Sequence, residues 1–540
     1  MTNKYPVTSV DQMQGMLLAH SDLRICLFAR GFLVTNSERD FTDEYPFYGL
    51  WKKQVLDEMR IYTHPFEHFY SYSAGDQIFI LFGHAYNPFT MVHDENVLLE
   101  SCAGSGNNKD DVFQIVSQWT GAFVFCIYQN GELTVLTDAS SMKMCSYAIR
   151  DGKYYFSSHT QLLADILECQ MTSYAKKLRQ TKMYNIGLRW MPGDMTAYAE
   201  ISRLGVNLYA LWDTKTITIK RFYPTAPHKE LLTEEEQSNA VDEFYRIISA
   251  NLKLCSEKWE RPAISLTGGM DSGATLACTK GTTERFKLFS FDCKEVERID
   301  SEAAKAICKI IQQPHTQYHI PESSEEIPQY EEIKKIINHN TAYVKNLAEE
   351  ELRKIAYLRN ITDYDVEIKS DVAEIGRVFY ERKYGMPMPQ TFNERHMSAI
   401  QTRFFCMPRL LHKTDDAYFA FLNKAKIAKP LFNYEHSDLL YWEFRIGVSA
   451  ATTTLSFGIL PAVLTFPYNN RVLLELFLSF PHDMRKADYP QREVRQRYMP
   501  EIALKEMEVE DGYFQKWRIG LERAFFQYRT SFYHPKKVRK

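Results

Sequence analysis

The segment Ile264-Ser265-Leu266-Thr267-Gly268-Gly269-Met270-Asp271-Ser272-Gly273 has the residue types and spacing of an anion site. An apolar run ends, two glycines remove side chains, and a helix-compatible stretch follows. Gly268 and Gly269 would let backbone N–H groups face an anion, and a helix starting behind them would add its partial positive charge. Thr267 and Ser272 would offer hydroxyl hydrogen bonds to phosphate oxygens. Asp271 would repel a bare phosphate, so its presence implies Mg2+ between the two. The segment lacks both the GK[ST] ending of a Walker loop and GxGxxG spacing. Two readings stay open on these residues alone: a phosphate or pyrophosphate site, and a structural turn.

Such a loop needs a strand before it and a helix after it. Residues 263–266 predict a short buried strand, 267–272 a polar turn, and 273–280 the start of a helix. Residues 286–291 and 315–319 predict two further strands, with a helix at 301–311 between them. The order βαβαβ predicts a parallel sheet with covering helices. From residue 329 onward the pattern is mostly helical, over 330–359, 371–383, 415–428, 435–457, 469–479 and 513–528. Upstream, 77–83, 121–128, 132–138, 144–149 and 153–158 read as short strands. Asn130-Gly131 and Asp151-Gly152 are turn signals. The last four strands predict one antiparallel sheet, followed by a helix at 159–167; residues 103–111 read as a polar loop. Pro224, Pro227 and the acidic run Glu234, Glu235, Glu236 mark a boundary, with Thr233 and Glu236 as a capping box. The expected architecture is an α+β domain of layered antiparallel sheets over 1–220. An α/β domain with a parallel sheet and a largely helical C-terminal part is expected over 221–540.

Composition narrows the function classes. At 540 residues the chain exceeds the usual size of one core. With 45% hydrophobic and 25% charged residues it is a folding composition, which excludes a mainly disordered or fibrous chain. A formal charge of −3 gives no general argument for nucleic acid or a membrane surface. The ten cysteines form no CxxC pair and are expected as reduced, buried thiols. Residues 1–11 contain no apolar leader region, so a cytoplasmic location is expected. No apolar run reaches the ~18–20 residues of a membrane span; the nearest, 448–466, reads as a buried helix and turn. No His, Cys and Asp set has zinc spacing. In Tyr441-Trp442-Glu443-Phe444-Arg445, charges stand among aromatics and need partners. They could bind a polar acceptor or pair structurally.

The loop at 267–272 resembles the SGGxDS pyrophosphate loop of ATP pyrophosphatases of the asparagine synthetase and β-lactam synthetase family, with Thr267 replacing the first Ser. Phe289–Asp292 is similar to the strand whose edge holds adenine there. Asp300 and Glu302, ahead of the run 303–311, resemble the helix that follows. Phe466-Pro467-Tyr468-Asn469-Asn470-Arg471 and Phe480-Pro481 resemble two C-terminal segments. In the front half, 121–125, 136–138 and 154–162 resemble late strands of a class II glutamine amidotransferase domain, an Ntn-hydrolase-like fold. The resemblance implies ATP and Mg2+ as cofactors. It implies a nucleotide set of Leu266, Thr267, Gly268, Gly269, Asp271, Ser272 and Phe291, with Asp271 and Asp371 as metal ligands. The family's GxGxDE loop has its nearest match at Glu367–Arg377, without the glycines; there Glu374 and Arg377 are expected to face the substrate. On the residues alone, Asp371 and Arg377 also fit a surface ion pair on a helix. β-Lactam synthetases place a catalytic Tyr where this chain has Ile368. The family's conserved Lys maps to Lys486, with Arg485 second; a solvated charge cluster is the other reading. A class II glutaminase needs an N-terminal Cys, and residue 2 is Thr2. The resemblance therefore implies carboxylate activation through an acyl-adenylate and amide or lactam formation without glutamine hydrolysis. Small-molecule or peptide carboxylate and amine substrates are implied, in small-metabolite or modified-peptide biosynthesis. A homodimer is possible on the resemblance; a membrane or nucleic-acid partner is not expected. Three alternatives stand beside it: a glutamine-hydrolysing asparagine synthetase, a tRNA-modifying or sulfur-inserting relative, and a non-catalytic scaffold keeping the fold.

Overall fold

The computed structural model describes residues 10–104, 108–181, 184–185, 190–293, 295–344, 347–403, 407–503 and 513–531. Thr2, part of the loop at 103–111 and the basic tail at 534–540 lie outside the described residues.

The front of the chain forms β1 (Phe32–Thr35), β2 (Lys52–Leu56), β3 (Met59–Thr63), β4 (Phe69–Ala74), β5 (Gln77–Tyr86) and β6 (Thr120–Gln129). There follow β7 (Glu132–Thr137), β8 (Ser146–Arg150), β9 (Lys153–Ser157), β10 (Ile201–Arg203), β11 (Leu208–Trp212) and β12 (Ile217–Arg221). They make two antiparallel sheets, ordered β10-β8-β9-β1-β3-β2 and β12-β11-β7-β6-β5-β4. Aromatic residues lock the sheets together. Phe32 of β1 stacks on Phe82 of β5 at 4.2 Å between centroids, and Tyr154 of β9 meets Trp212 of β11 at 5.3 Å. Both predicted turns form, with Asn130, Gly131, Asp151 and Gly152 at positive φ.

The expected single sheet over residues 121–158 is corrected. The β6–β7 hairpin lies in one layer and the β8–β9 hairpin in the other. Asp138 fixes the crossing. Its fully buried carboxylate accepts N–H bonds from Phe123, Ser140, Met142 and Lys143 at 2.8–3.1 Å.

The capping box Thr233–Glu236 opens the helix Glu234–Lys258, whose apolar face is buried. It leads into β13 (Pro262–Ser265), β14 (Lys287–Asp292), β15 (His315–His319), β16 (Val366–Ile368) and β17 (Val463–Thr465). These five are parallel, in the order β15-β14-β13-β16-β17. The first three match the expected βαβαβ run. β16 and β17 are short strands within the largely helical C-terminal part, and β17 sits inside the stretch 448–466 that reads as a buried helix and turn. Three-residue strands carry too few positions to show a period of two.

The expected helix at 330–359 is two helices, Tyr330–Asn340 and Glu349–Leu358. The stretch 371–383 breaks into a 3-10 turn, Ala373–Gly376, and a helix, Phe379–Tyr384. The stretch 435–457 contains a π-helix, Tyr441–Ala450, between two α-helical pieces.

Front and back share one hydrophobic core and a buried polar seam. Asn469 Nδ2 donates to Gly121 O at 2.6 Å and Asp138 Oδ1 at 2.7 Å. Asn470 Nδ2 donates to Gln118 O at 2.6 Å. Arg471 donates to the carbonyls of Thr137 and Asp138 and to Asn207 Oδ1, each at 3.1 Å. Arg221 forks onto Glu443 at 2.6 and 2.9 Å. Glu443 is thus a structural partner across the seam. The nine described cysteines are free thiols, seven of them buried. Among the described residues no helix is long and apolar enough to cross a membrane.

Candidate active site

β13 is the first strand of the parallel sheet and also its centre. The chain winds to one side through β14 and β15, then returns to the other side for β16 and β17. Such a reversal leaves a crevice at the carboxyl ends of the strands, where the following loops diverge. A cavity of about 670 Å³ opens there, a size typical of small-molecule sites.

Four stretches of chain supply most of its wall. The end of β13 supplies Leu266, Thr267, Gly268, Gly269, Asp271 and Ser272, and the end of β14 supplies Phe291. The loop leaving β16 supplies Lys369, Asp371, Glu374 and Arg377. The π-helix supplies Arg445, Ile446, Ser449 and Ala450. Its widened turn keeps these residues on one side, a use of π geometry common at functional sites. Ten of the eleven site residues expected from sequence therefore line one cavity.

The loop is held by its own hydroxyls. Thr267 Oγ1 and Ser272 Oγ lie 2.9 Å apart, and the Gly269 N–H donates to Thr267 Oγ1 at 3.1 Å. The Gly268 N–H donates to the Asp300 carboxylate at 3.3 Å. An oxyanion thus already sits on a loop amide. The helix Met270–Ala277 starts directly behind. Gly273 is needed for that approach, since a Cβ there would come within 3.1 Å of the Arg495 guanidinium.

Asp271 projects from the first turn of this helix. Its Oδ2 accepts from Arg377 Nη1 at 2.7 Å, while Oδ1 is buried with no hydrogen-bond partner among the described residues. Burial pushes its carboxyl up to about 6, Arg377 pulls it down, and Glu374 and Asp488 push it further up. A buried carboxylate oxygen without a donor is the kind of hard ligand Mg2+ takes, and Asp371 adds an exposed carboxylate on the same wall. The wall thus offers two carboxylates to a divalent cation, while among the described residues no group of three or more His, Cys, Asp or Glu side chains is placed to hold one.

Arg377 also forks onto Asp488, through Nε at 2.7 Å and Nη2 at 2.8 Å. Glu374 accepts a short hydrogen bond from Tyr441 at the head of the π-helix. Two β-branched residues, Val372 at φ 82° and Val378 at φ 49°, bracket the turn that carries Glu374 and Arg377. Valine rarely adopts a positive φ, and such strain costs about 1–3 kcal/mol per residue. The surroundings hold the turn: Gly376 lies so close to Phe477 that a Cβ there would stand 2.6 Å from its Cβ.

Lys486 stands outside the cavity. Its side chain is 48% exposed and its Nζ binds Glu381 at 2.7 Å. The helix His482–Lys486 points it there, while Arg485 is buried on Glu435 and Asp438. The cavity holds a different lysine. Lys369 Nζ lies 3.7 Å from Glu367 Oε1 and 4.9 Å above the Phe457 ring. Burial alone would lower its pKa, but Glu367, Asp371 and Glu351 outweigh that and hold the ammonium near about 12. A lysine two residues before the expected metal ligand was the available signal. Arg445 was signalled as a charge among aromatics, and Asp300 by the resemblance of its helix; neither that resemblance nor the aromatic stretch gave Asp300 or Tyr441 a role at the site.

No protein-family model matches the chain, and no curated protein matches it. Among solved structures, one described as the allosteric regulatory enzyme of purine biosynthesis aligns at 11% identity and a TM-score of 0.25, covering 47% of this chain and 58% of that one. Glutamine phosphoribosylpyrophosphate amidotransferase from B. subtilis, complexed with ADP and GMP, aligns at 7% identity and a TM-score of 0.21, covering 69% and 75%. At these scores neither likeness assigns the chain an activity.

Proposed function

We propose that this chain is an ATP-dependent ligase that activates a carboxylate as an acyl-adenylate and joins it to an amine, releasing AMP and pyrophosphate. One observation carries the reading. The fold gathers the glycine loop, Phe291, Asp371, Glu374 and Arg377, which are scattered over about a hundred residues of sequence, around one cavity at the sheet's carboxyl edge.

Each group then has a task. The amides of Gly268 and Gly269, with Thr267 and Ser272, hold the pyrophosphate, and Leu266 and Phe291 flank the nucleoside. Asp271 and Asp371 would hold Mg2+, which when bound offsets the negative charge of the triphosphate. A carboxylate oxygen of the acid attacks the α-phosphorus, and the bond to pyrophosphate breaks. Lys369 and Arg377 stabilise the charge that develops there. The amine nitrogen then attacks the acyl carbon, AMP departs, and Glu374, positioned by Tyr441, takes the proton. In this reading the amine arrives as a substrate rather than from glutamine. Acid and amine are groups of a small molecule or a peptide, in a biosynthetic reaction in the cytoplasm.

The test is ATP–pyrophosphate exchange over a panel of carboxylic acids, with mass spectrometry of products formed from added amines. Exchange should depend on one class of acid and vanish in Asp271→Ala. Unchanged exchange in that variant would sink the assignment. Product nitrogen drawn from glutamine would restore the glutaminase reading.

A further inference from the structure

Three amides of the glycine loop each face an oxygen of the protein itself. The Thr267 N–H donates to Ser272 Oγ at 3.4 Å, the Gly269 N–H to Thr267 Oγ1 at 3.1 Å, and the Gly268 N–H to Asp300 Oδ1 at 3.3 Å. The first two acceptors are hydroxyls of the loop, neutral groups that can turn and donate to a phosphate oxygen. The third is a carboxylate from another element, and when ionised it can only accept.

Asp300 belongs to the helix Glu295–Ile310, which follows β14. The helix is pinned beside it. Ser301 is fully buried, with its Oγ 2.7 Å from Ser290 Oγ of β14, and Ala304, one turn on, is fully buried too. A fixed scaffold thus delivers the half-buried carboxylate to the loop, where it lines the first cavity. Its hold there is weak. The bond is at the long end of the hydrogen-bond range. Burial pushes the Asp300 carboxyl up, the Gly268 N–H pulls it down, and Glu297, one turn earlier, pushes it up again. A carboxylate that loses solvation for one long bond gives way to an anion that makes more contacts.

We propose that Asp300 is a built-in competitor for the pyrophosphate position: its carboxylate fills the Gly268 amide until a polyphosphate displaces it. The inference rests on the reading of the glycine loop as a pyrophosphate site. An anion with one contact to offer gains little by displacing Asp300. A pyrophosphate chain reaches Thr267, Gly268, Gly269 and Ser272 together, and gains several charge-assisted hydrogen bonds for the one it breaks. The displaced carboxylate stays on the same wall, and its repulsion of the bound anion favours departure of pyrophosphate.

Isothermal titration of the full chain with pyrophosphate and Mg2+ tests this on the parent, Asp300→Ala, Asp300→Asn and Glu302→Gln, with thermal unfolding to show that each is folded. Asp300→Ala removes the competitor and should tighten pyrophosphate binding about tenfold, the worth of one charge-assisted hydrogen bond. Asp300→Asn keeps an oxygen for the Gly268 N–H without the charge, and should fall between parent and alanine variant. Glu302→Gln removes an exposed charge two residues away and should change nothing. In ATP–pyrophosphate exchange the KM for pyrophosphate should fall in the same order. A residue that merely shapes the loop would give the opposite sign, with weaker binding on its loss. Unchanged or weaker binding in both Asp300 variants overturns the competitor. An equal gain in Glu302→Gln overturns it as well, because the effect would then belong to net charge. Binding and exchange in the parent with no gain in either variant overturns the competitor alone. A gain without exchange on any acid overturns the ligase reading alone. No binding to any of the four proteins overturns the pyrophosphate reading of the loop and the competitor with it.

Discussion

Asp271→Asn should make the ligand-free chain more stable while abolishing its exchange activity. The reason lies in the carboxyl group's surroundings. Its side chain is only 16% exposed, and burial outweighs Arg377 to raise the carboxyl from 3.8 to about 6. That displacement means that holding the ionised form costs about 3 kcal/mol near neutral pH. The sign follows from proton counting. Between about pH 4 and about pH 6 the folded chain keeps a proton that the unfolded chain has released. Folding stability therefore falls as pH rises through that window and is level above it. The asparagine variant has no such proton, keeps a carbonyl for Arg377 to donate to, and leaves Arg377 paired with Asp488. Its gain over the parent should be close to nil near pH 4 and reach about 2–3 kcal/mol near pH 7. Thermal unfolding of both proteins across this range, without nucleotide, measures the difference. The same preparations are assayed for ATP–pyrophosphate exchange, which should fall by about two to three orders of magnitude. A variant less stable than the parent near pH 7, or a difference that ignores pH, would refute the claim that Asp271 is held ionised against its burial. In the parent, MgATP affinity should weaken as pH drops below about 6, since protonation removes the ligand charge.

Glu443→Gln should destabilise the chain by about 3–5 kcal/mol, because it leaves the buried Arg221 without its carboxylate. Chemical denaturation checks this, and a loss under about 1 kcal/mol would make the pair dispensable. Lys369→Gln should depress exchange far more than Lys486→Gln, and the reverse order would return the charge-stabilising role to Lys486. Gly376→Ala forces a Cβ against Phe477 and should cost about 1–3 kcal/mol. It should also lower exchange, because the same turn carries Glu374 and Arg377; normal stability and rate would show that the turn yields.

The strand, turn and helix around 267–272 were legible because an apolar run ends at two glycines ahead of a helix-compatible stretch. The parallel order of β13, β14 and β15 was legible because helices separate them at regular spacing. The turn at 373–376 was not. Its positive-φ positions hold Val372 and Val378 rather than glycine, so nothing marked a break in what reads as helix. The position of Lys486 outside the cavity was not legible for a related reason. The segment after Phe480-Pro481 offers two adjacent cations, Arg485 and Lys486, and only the partners Glu381, Glu435 and Asp438, distant in sequence, decide where each points. The crossing between the two front sheets depends on one carboxylate, Asp138, whose four backbone donors leave no pattern in sequence.

The seam at Asn469, Asn470 and Arg471 bears on how this gene can be cut. All three side chains are fully buried, and all three find partners in the front sheets. The helix they begin, Arg471–Ser479, carries Phe477, the residue that presses on Gly376. A truncation keeping only residues past 221 would orphan those three groups, at about 1–3 kcal/mol each. It would also loosen the reference point of Glu374 and Arg377. The front half is thus inherited with the back half whether or not it performs a reaction of its own. Splitting the gene between residues 222 and 233 is feasible only if both fragments are made together and reassemble along that seam.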